Sequence, residues 1–162
     1  MLKNSMFLIL LFLLVGCIEK KMERIDFDFR GIRLGDTIDD DMRSRFGDRP
    51  LAKNVTQLMK SSGYSISGEF EIGGEKVRVA IQELEGKVSE IYIGGFDEKT
   101  FLDAMLVKYG LPHTKTSKSF VWIDLNGTVT LSKSTLVATS NSEYDRRERE
   151  AGDELRDTLN DM

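Results

Sequence analysis

The 162-residue chain predicts an α+β fold: two tandem units, each a helix followed by a three-stranded antiparallel meander, then a charged C-terminal helix. Three observations lead there. Ile38, Met42, Phe46 and Gly47 have counterparts of like type in Phe101, Met105, Tyr109 and Gly110, each 63 residues later. An apolar residue at every fourth position, closed by glycine, is a helix stripe with its stop, and its return at a fixed interval reads as an internal repeat. After each stripe the pattern changes to alternation with period two, broken at Gly73-Gly74, Glu85-Gly86-Lys87 and Asn126-Gly127. That is the pattern of half-buried strands joined by tight turns. Residues 141–162 are rich in charge, with Tyr144, Ala151, Leu155 and Leu159 as a narrow apolar stripe, which predicts a solvated helical tail.

The N-terminus comes first in chain order. Lys3 precedes an uncharged run from Met6 to Val15. About ten apolar residues are too few to cross a bilayer, which takes roughly 20 as a helix. A short positive region, an apolar stretch and the small Gly16 fit a secretory signal over residues 1–16. The run ends in Leu14-Val15-Gly16-Cys17, and Cys17 is the only cysteine of the chain. This quartet resembles the lipobox of bacterial lipoproteins. The resemblance implies cleavage before Cys17, a diacylglyceryl thioether on its sulfur and acylation of the new amine. Two or three acyl chains meet the need for more than one membrane signal. Ile18 follows Cys17 where an Asp would retain such a protein in the inner membrane, so the resemblance implies the outer membrane, facing the periplasm. The alternative is an uncleaved signal anchor with an incidental cysteine.

Removing residues 1–16 takes away one charge, Lys3, and moves the net charge from −4 to −5. That balance argues against a nucleic-acid partner and against electrostatic attraction to anionic lipid. The remaining length suits one domain or two small repeated units with a real core. With a single cysteine, no disulfide can form within the chain.

Residues 17–26 read as a charged tether, leading into a strand at about 27–34 that opens the first unit, 27–95. Thr37 is placed to cap the first helix, with Asp40 three residues on. Asp39, Asp40 and Asp41 fill the first turn and Arg43 and Arg45 the last, which suits the helix dipole. Gly47 and Pro50 end it, and a polar connection follows over 51–62. Strands are predicted over 64–72, 77–81 and 88–93. The second unit, 96–140, has Asp97 as helix cap and Gly110 and Pro112 as its stop. Its strands are predicted at 120–125, 128–132 and 135–139, before the tail at 141–162. The two sheets could join edge to edge or pack through their helices.

The stretch FRGIRLGDTIDDDMRSRFGDRP resembles the glycine-spaced opening of small bacterial envelope lipoproteins. The small lipoprotein of the β-barrel assembly machinery, the SmpA/OmlA family, is one example, and the β-lactamase inhibitor protein is similar in fold. The chain also resembles bacterial and prophage lipoproteins that pair KYGLP, here Lys108 to Pro112, with a tryptophan strand (Trp122), a hairpin at Asn126-Gly127, a last strand and a charged tail. The resemblance implies an envelope protein that binds other proteins and catalyses nothing. Two repeats and a long tail depart from the assembly-machinery lipoprotein, so no binding residue is carried over.

Candidate chemistry is sparse. His113 is the only histidine and follows Pro112, so no zinc set can be assembled around it. Asp39–Asp41 lacks the alternate spacing of a calcium loop, and Asp36 with Asp40 is the only carboxylate pair worth weighing for acid–base work. No catalytic residue, metal or cofactor is predicted. Phe120 and Trp122 share one strand face, opposite Val121, Ile123 and Leu125. If the aliphatic face is buried, the aromatic pair is an outward partner anchor; otherwise Trp122 sits in the core beneath the second helix. Taken with its resemblance to envelope lipoproteins, the sequence predicts a lipid-anchored envelope protein acting as a non-catalytic protein-binding module in outer-membrane maintenance or assembly. The alternative is an inhibitor or phage-exclusion lipoprotein that blocks an enzyme or an incoming phage component.

Overall fold

The computed structural model describes residues 23–47, 63–72 and 74–160. The signal segment, Cys17 with most of the tether, Pro50 and the connection 51–62 lie outside the described residues. Among those described, the fold is α+β, with three helices and one seven-stranded antiparallel sheet. The elements are α1 (Asp40–Gly47), β1 (Tyr64–Ile72), β2 (Glu75–Leu84), β3 (Lys87–Gly94) and α2 (Glu98–Tyr109), then β4 (Thr114–Lys115), β5 (Phe120–Ile123), β6 (Gly127–Ser132), β7 (Thr135–Ser140) and α3 (Asn141–Asn160). The spatial order is β1-β2-β3-β7-β6-β5-β4.

The two meanders join edge to edge. β3 and β7 pair antiparallel, with Glu90 opposite Thr139 and Ile93 opposite Leu136. Each is the last strand of its meander, and a free edge there would leave a row of backbone donors and acceptors unpaired. Two-residue β4 pairs with the outer edge of β5, an element the sequence did not announce.

Alternation along the strands gives the sheet one apolar face. Phe70, Val79, Ile81, Ile91, Leu131 and Leu136 all point there and are buried. The covering layer is α1, α2 and the segment 25–38, through Phe27, Phe29, Leu34, Met42, Phe46 and Met105. Asp39, not Thr37, caps α1: its Oδ1 accepts from Met42 N at 2.8 Å, while Thr37 bridges to Lys87. Asp97 caps α2, its Oδ1 accepting from Thr100 N at 2.9 Å, and Gly110 closes it by donating to Leu106 O at 3.0 Å.

The strand expected at 27–34 does not form. Arg30 and Gly31 both take positive φ, 52° and 79°, and turn the chain so that Phe29 and Ile32 bond each other, at 2.9 and 3.0 Å. Left-handed backbone at two successive positions makes a two-residue turn, and glycine carries it without cost. Asp28 Oδ1 accepts from Gly31 N and fixes the turn. The segment instead crosses the apolar face from one hairpin to another. Ile25 N donates to Ile123 O, and Leu125 N to Ile25 O, both at 2.9 Å; further on, Gly35 N reaches Val88 O at 2.8 Å and Ile38 N reaches Gly86 O at 3.0 Å.

Candidate functional site

Trp122 belongs to the core. It is 0 % exposed, and its indole Nε1 donates to Gly110 O at 3.1 Å, tying β5 to the end of α2. Phe120 is half-buried beside it, with ring centroids 6.5 Å apart. The outward residues of this strand are the aliphatic ones: Ile123 and Leu125 are 39 % and 51 % exposed. Trp122 as a partner anchor is thereby corrected, and the physical reason is that β5 turns its bulkiest side chain toward α2, where a carbonyl meets its N–H.

One concavity lies beneath α2. It holds about 300 Å³ and is walled by Phe27, Phe29, Ile72, Ile93, Phe96, Phe101, Ala104, Met105 and Tyr109. Phe96 and Phe101 stack on one side, centroids 4.0 Å apart, and Phe27 tilts against Tyr109 at 5.8 Å on the other. Asp28, Glu75, Thr100 and Lys108 complete the lining. Lys108 Nζ meets Asp28 Oδ2 at 2.9 Å, linking α2 to the crossing segment. The Lys108 ammonium and the Gly31 N–H hold the Asp28 carboxyl below its ordinary value. Hydrogen bonds to Tyr109 and Asp28 raise the Lys108 ammonium against the opposing effect of burial. A mostly apolar recess with few polar groups suits a small apolar group.

Asp36, Asp39 and Asp41, singled out in the sequence, are occupied structurally. Asp36 Oδ2 accepts from Arg33 N at 2.7 Å, and Asp41 pairs with Arg45 at 2.6 Å. His113 Nδ1 accepts from Ile123 N at 3.1 Å, and its Nε2 is a buried atom without a hydrogen-bond partner. Among the described residues, no three His, Cys, Asp or Glu side chains converge as metal ligands, and no helix is long and apolar enough to cross a membrane.

A cluster that sequence reasoning missed fixes the start of α3 on the outer face of the sheet. Glu90 and Glu143 are buried. Arg147 bridges them, Nη2 to Glu90 Oε2 at 2.6 Å and Nε to Glu143 Oε1 at 2.8 Å, and Arg146 clamps both oxygens of Glu143. Tyr64 donates to Glu90 from β1; burial, then this bond, pushes its phenol far above the ordinary value. Arg146 first and Arg147 next hold Glu143 below the usual carboxylate range, against desolvation. Ser140 Oγ accepts from Glu143 N at 3.2 Å and starts the helix. The Ser140-x-x-Glu143 spacing was the legible signal, whereas the Glu90–Arg147 pair joins residues 57 apart and left no local mark. No family of known proteins, no curated protein and no solved structure matches this chain.

Proposed function

We propose that the chain is a lipid-anchored envelope protein, held at the outer membrane through Cys17 and facing the periplasm, that binds another protein and catalyses nothing. Its organisation on this reading is two tandem helix-plus-meander units, supported by the 63-residue match of the helix stripes and by the like position of each meander behind its helix. The observation that carries the binding role is the recess of about 300 Å³ beneath α2. Its walls are aromatic and aliphatic, and its one lysine, Lys108, is paired with Asp28 at 2.9 Å and held in its charged form, which is not the nucleophilic one. Such a recess accepts an apolar side chain of a partner, and buried anchors of this kind supply most of the binding energy of an interface. Asp28 and Glu75 outnumber Lys108 in the lining, so an anchor flanked by a basic residue suits it better than one flanked by a carboxylate.

The test is photocrosslinking in intact cells. A photoreactive residue at Ala104, in the recess, should give one discrete adduct in the envelope. The same residue at Glu69, on the outer sheet face, should not. Absence of any adduct from Ala104, with the protein present in the outer-membrane fraction, rejects the reading. An adduct with an enzyme whose activity rises in a deletion strain would favour the inhibitor alternative. Fractionation and mass measurement of Cys17→Ser beside wild type test the anchor separately: wild type should carry acyl mass, and the variant should be unprocessed or released.

A further inference from the structure

Three exposed apolar side chains gather where the chain enters the fold. Ile123 and Leu125 are 39 % and 51 % exposed, and Tyr144 is 43 % exposed. Ile25 lies against the first two, donating to Ile123 O and accepting from Leu125 N, both at 2.9 Å. Ile123 stands opposite Thr128, whose Oγ1 donates to Tyr144 Oη at 3.1 Å. Asn141 N donates to Asn126 O, which holds the start of α3 beside the β5–β6 hairpin tip. The three side chains therefore belong to one end of the molecule.

Seven residues separate Cys17 from Ile25. Fully extended, that stretch spans at most about 28 Å, so whatever holds Cys17 holds this end near it. The recess beneath α2 lies toward the other end of the strands. Ile72 closes β1, Glu75 opens β2 and Ile93 stands one residue before the end of β3, whereas Ile123 and Ser140 end β5 and β7 at the hairpin side.

We infer that the end formed by Ile123, Leu125 and Tyr144 rests on the bilayer surface, its occupant being the boundary between headgroups and acyl chains. This rests on the reading of Cys17 as acylated. An aliphatic pair with a tyrosine beside it suits that boundary, where tyrosine's apolar ring and polar hydroxyl are both satisfied. The contact is apolar, since the chain is acidic and the exposed Asp26 and Asp145 beside it offset the exposed Arg24, leaving no basic excess there. It should not require anionic lipid. The consequence is orientation: with this end on the membrane, the recess toward the other end of the strands is held away from the bilayer, where a partner can reach it.

The full chain is produced with its signal, purified from membranes and reconstituted into phosphatidylcholine vesicles carrying nitroxide-labelled acyl chains. Leu125→Cys and Tyr144→Cys are each labelled with a thiol-reactive fluorophore. Val107→Cys, on α2 and 89 % exposed, is the comparison. Circular dichroism checks that each variant is folded. Labels at 125 and 144 should be quenched several-fold more than the label at 107, with or without added anionic lipid. Equal quenching at all three positions, with Cys17 blocked to the dye in wild type, overturns the membrane contact and leaves the anchor standing. Dye uptake at Cys17 in wild type overturns the anchor and the contact together. Labels at 125 and 144 that are unquenched in pure lipid but shielded in native membranes overturn the lipid contact in favour of a protein at this end.

Discussion

Trp122 carries more of the core than any other residue, because it is the largest of the fully buried side chains and its one polar atom is matched by Gly110 O. Trp122→Ala should cost about 3–5 kcal/mol through the cavity it leaves, a large share of a total that for domains of this kind is roughly 5–15 kcal/mol. Trp122→Phe keeps much of the packing and loses the bond to the carbonyl, so its cost should be about 1–2 kcal/mol. Urea unfolding followed by far-ultraviolet circular dichroism separates the two. Equal midpoints for Trp122→Ala and wild type would place the indole outside the core. The Lys108–Asp28 bridge should behave oppositely, as a weak contact with a clear pH signature. Half its charge is solvated, with Lys108 54 % exposed, so Lys108→Ala should cost under about 1 kcal/mol. Asp28 is lowered from 3.8, so its contribution is present above that value and lost as pH falls through the folded value below it. Lys108 is raised from 10.5, so its part is present below that value and lost as pH rises through the folded one above it. Wild type minus Lys108→Ala stability should thus be flat across neutral pH and shrink at both extremes. What the sequence disclosed at this scale was chemical type rather than direction. Alternation placed Trp122 and Ile123 on opposite faces, but which face met the helices depended on how β5 joins the sheet, and no residue near 122 encodes that.

At the scale of elements, the cap and stop of α2 and the tight hairpins were legible, while the α1 cap fell two residues from its expected place and the pairings between distant segments left no mark. Asp97 and Gly110 could be read because a cap satisfies backbone groups within its own turn. The segment at 27–34 misled because its apolar alternation is genuine, while its pairing partners are hairpins far along the chain; Gly31 inside the run was the available warning. Gly127 shows how closely two elements can meet. A Cβ there would lie 2.0 Å from Thr139 O and 2.8 Å from Ser140 Cα, both backbone atoms that cannot swing away. Gly127→Ala should therefore push β6 from β7 and cost at least the roughly 1–3 kcal/mol typical of overpacking, read as a lower denaturation midpoint. Gly152→Ala, inside α3 with nothing within 4 Å, should not lower the midpoint, because alanine also suits a helix interior better than glycine. The tail helix gives a different expectation, since a buried cluster pins its start. Residues 148–153 are all exposed, while Glu143 is sealed between two arginines. Glu143→Ala should free α3 without unfolding the sheet, because local opening needs only the contacts that hold that element. Limited trypsin digestion at Arg146, Arg147 and Arg149 should quicken about tenfold, as expected for roughly 1.4 kcal/mol of lost docking, while the sheet stays protected. Acid should do likewise to wild type: Glu143 is lowered from 4.5, so its contribution holds above that value and disappears as pH falls through the folded one.

The whole molecule is held as one body by two devices that cross its middle. One is the β3–β7 pairing, which turns two meanders into one sheet. The other is the segment 25–38, bonded to the β5–β6 hairpin at Ile25 and Phe27 and to the β2–β3 hairpin at Gly35 and Ile38. The buried apolar residues of both meanders, Ala80 apart, also form a single cluster running from Phe70 to Trp122. A chain so connected cannot lose one meander without exposing the core of the other, so unfolding should be one transition despite the repeated helix stripes. Asp124 tests this, because its buried carboxylate serves two elements. Oδ2 accepts from Phe27 N at 2.7 Å, and Oδ1 from Asn126 N at 2.9 Å. Asp124→Ala leaves the buried Phe27 donor unmatched, which should cost about 1–3 kcal/mol. Two probes can follow it: Trp122 fluorescence, which reports β5, and far-ultraviolet circular dichroism, which reports the whole sheet. If the body is single, both midpoints move together and the denaturant slope is unchanged, since the same surface is exposed on unfolding. Should the fluorescence midpoint fall while the dichroism splits into two steps, residues 27–95 fold without 96–140. The crossing segment would then be a strap laid over two independent units rather than the joint between them.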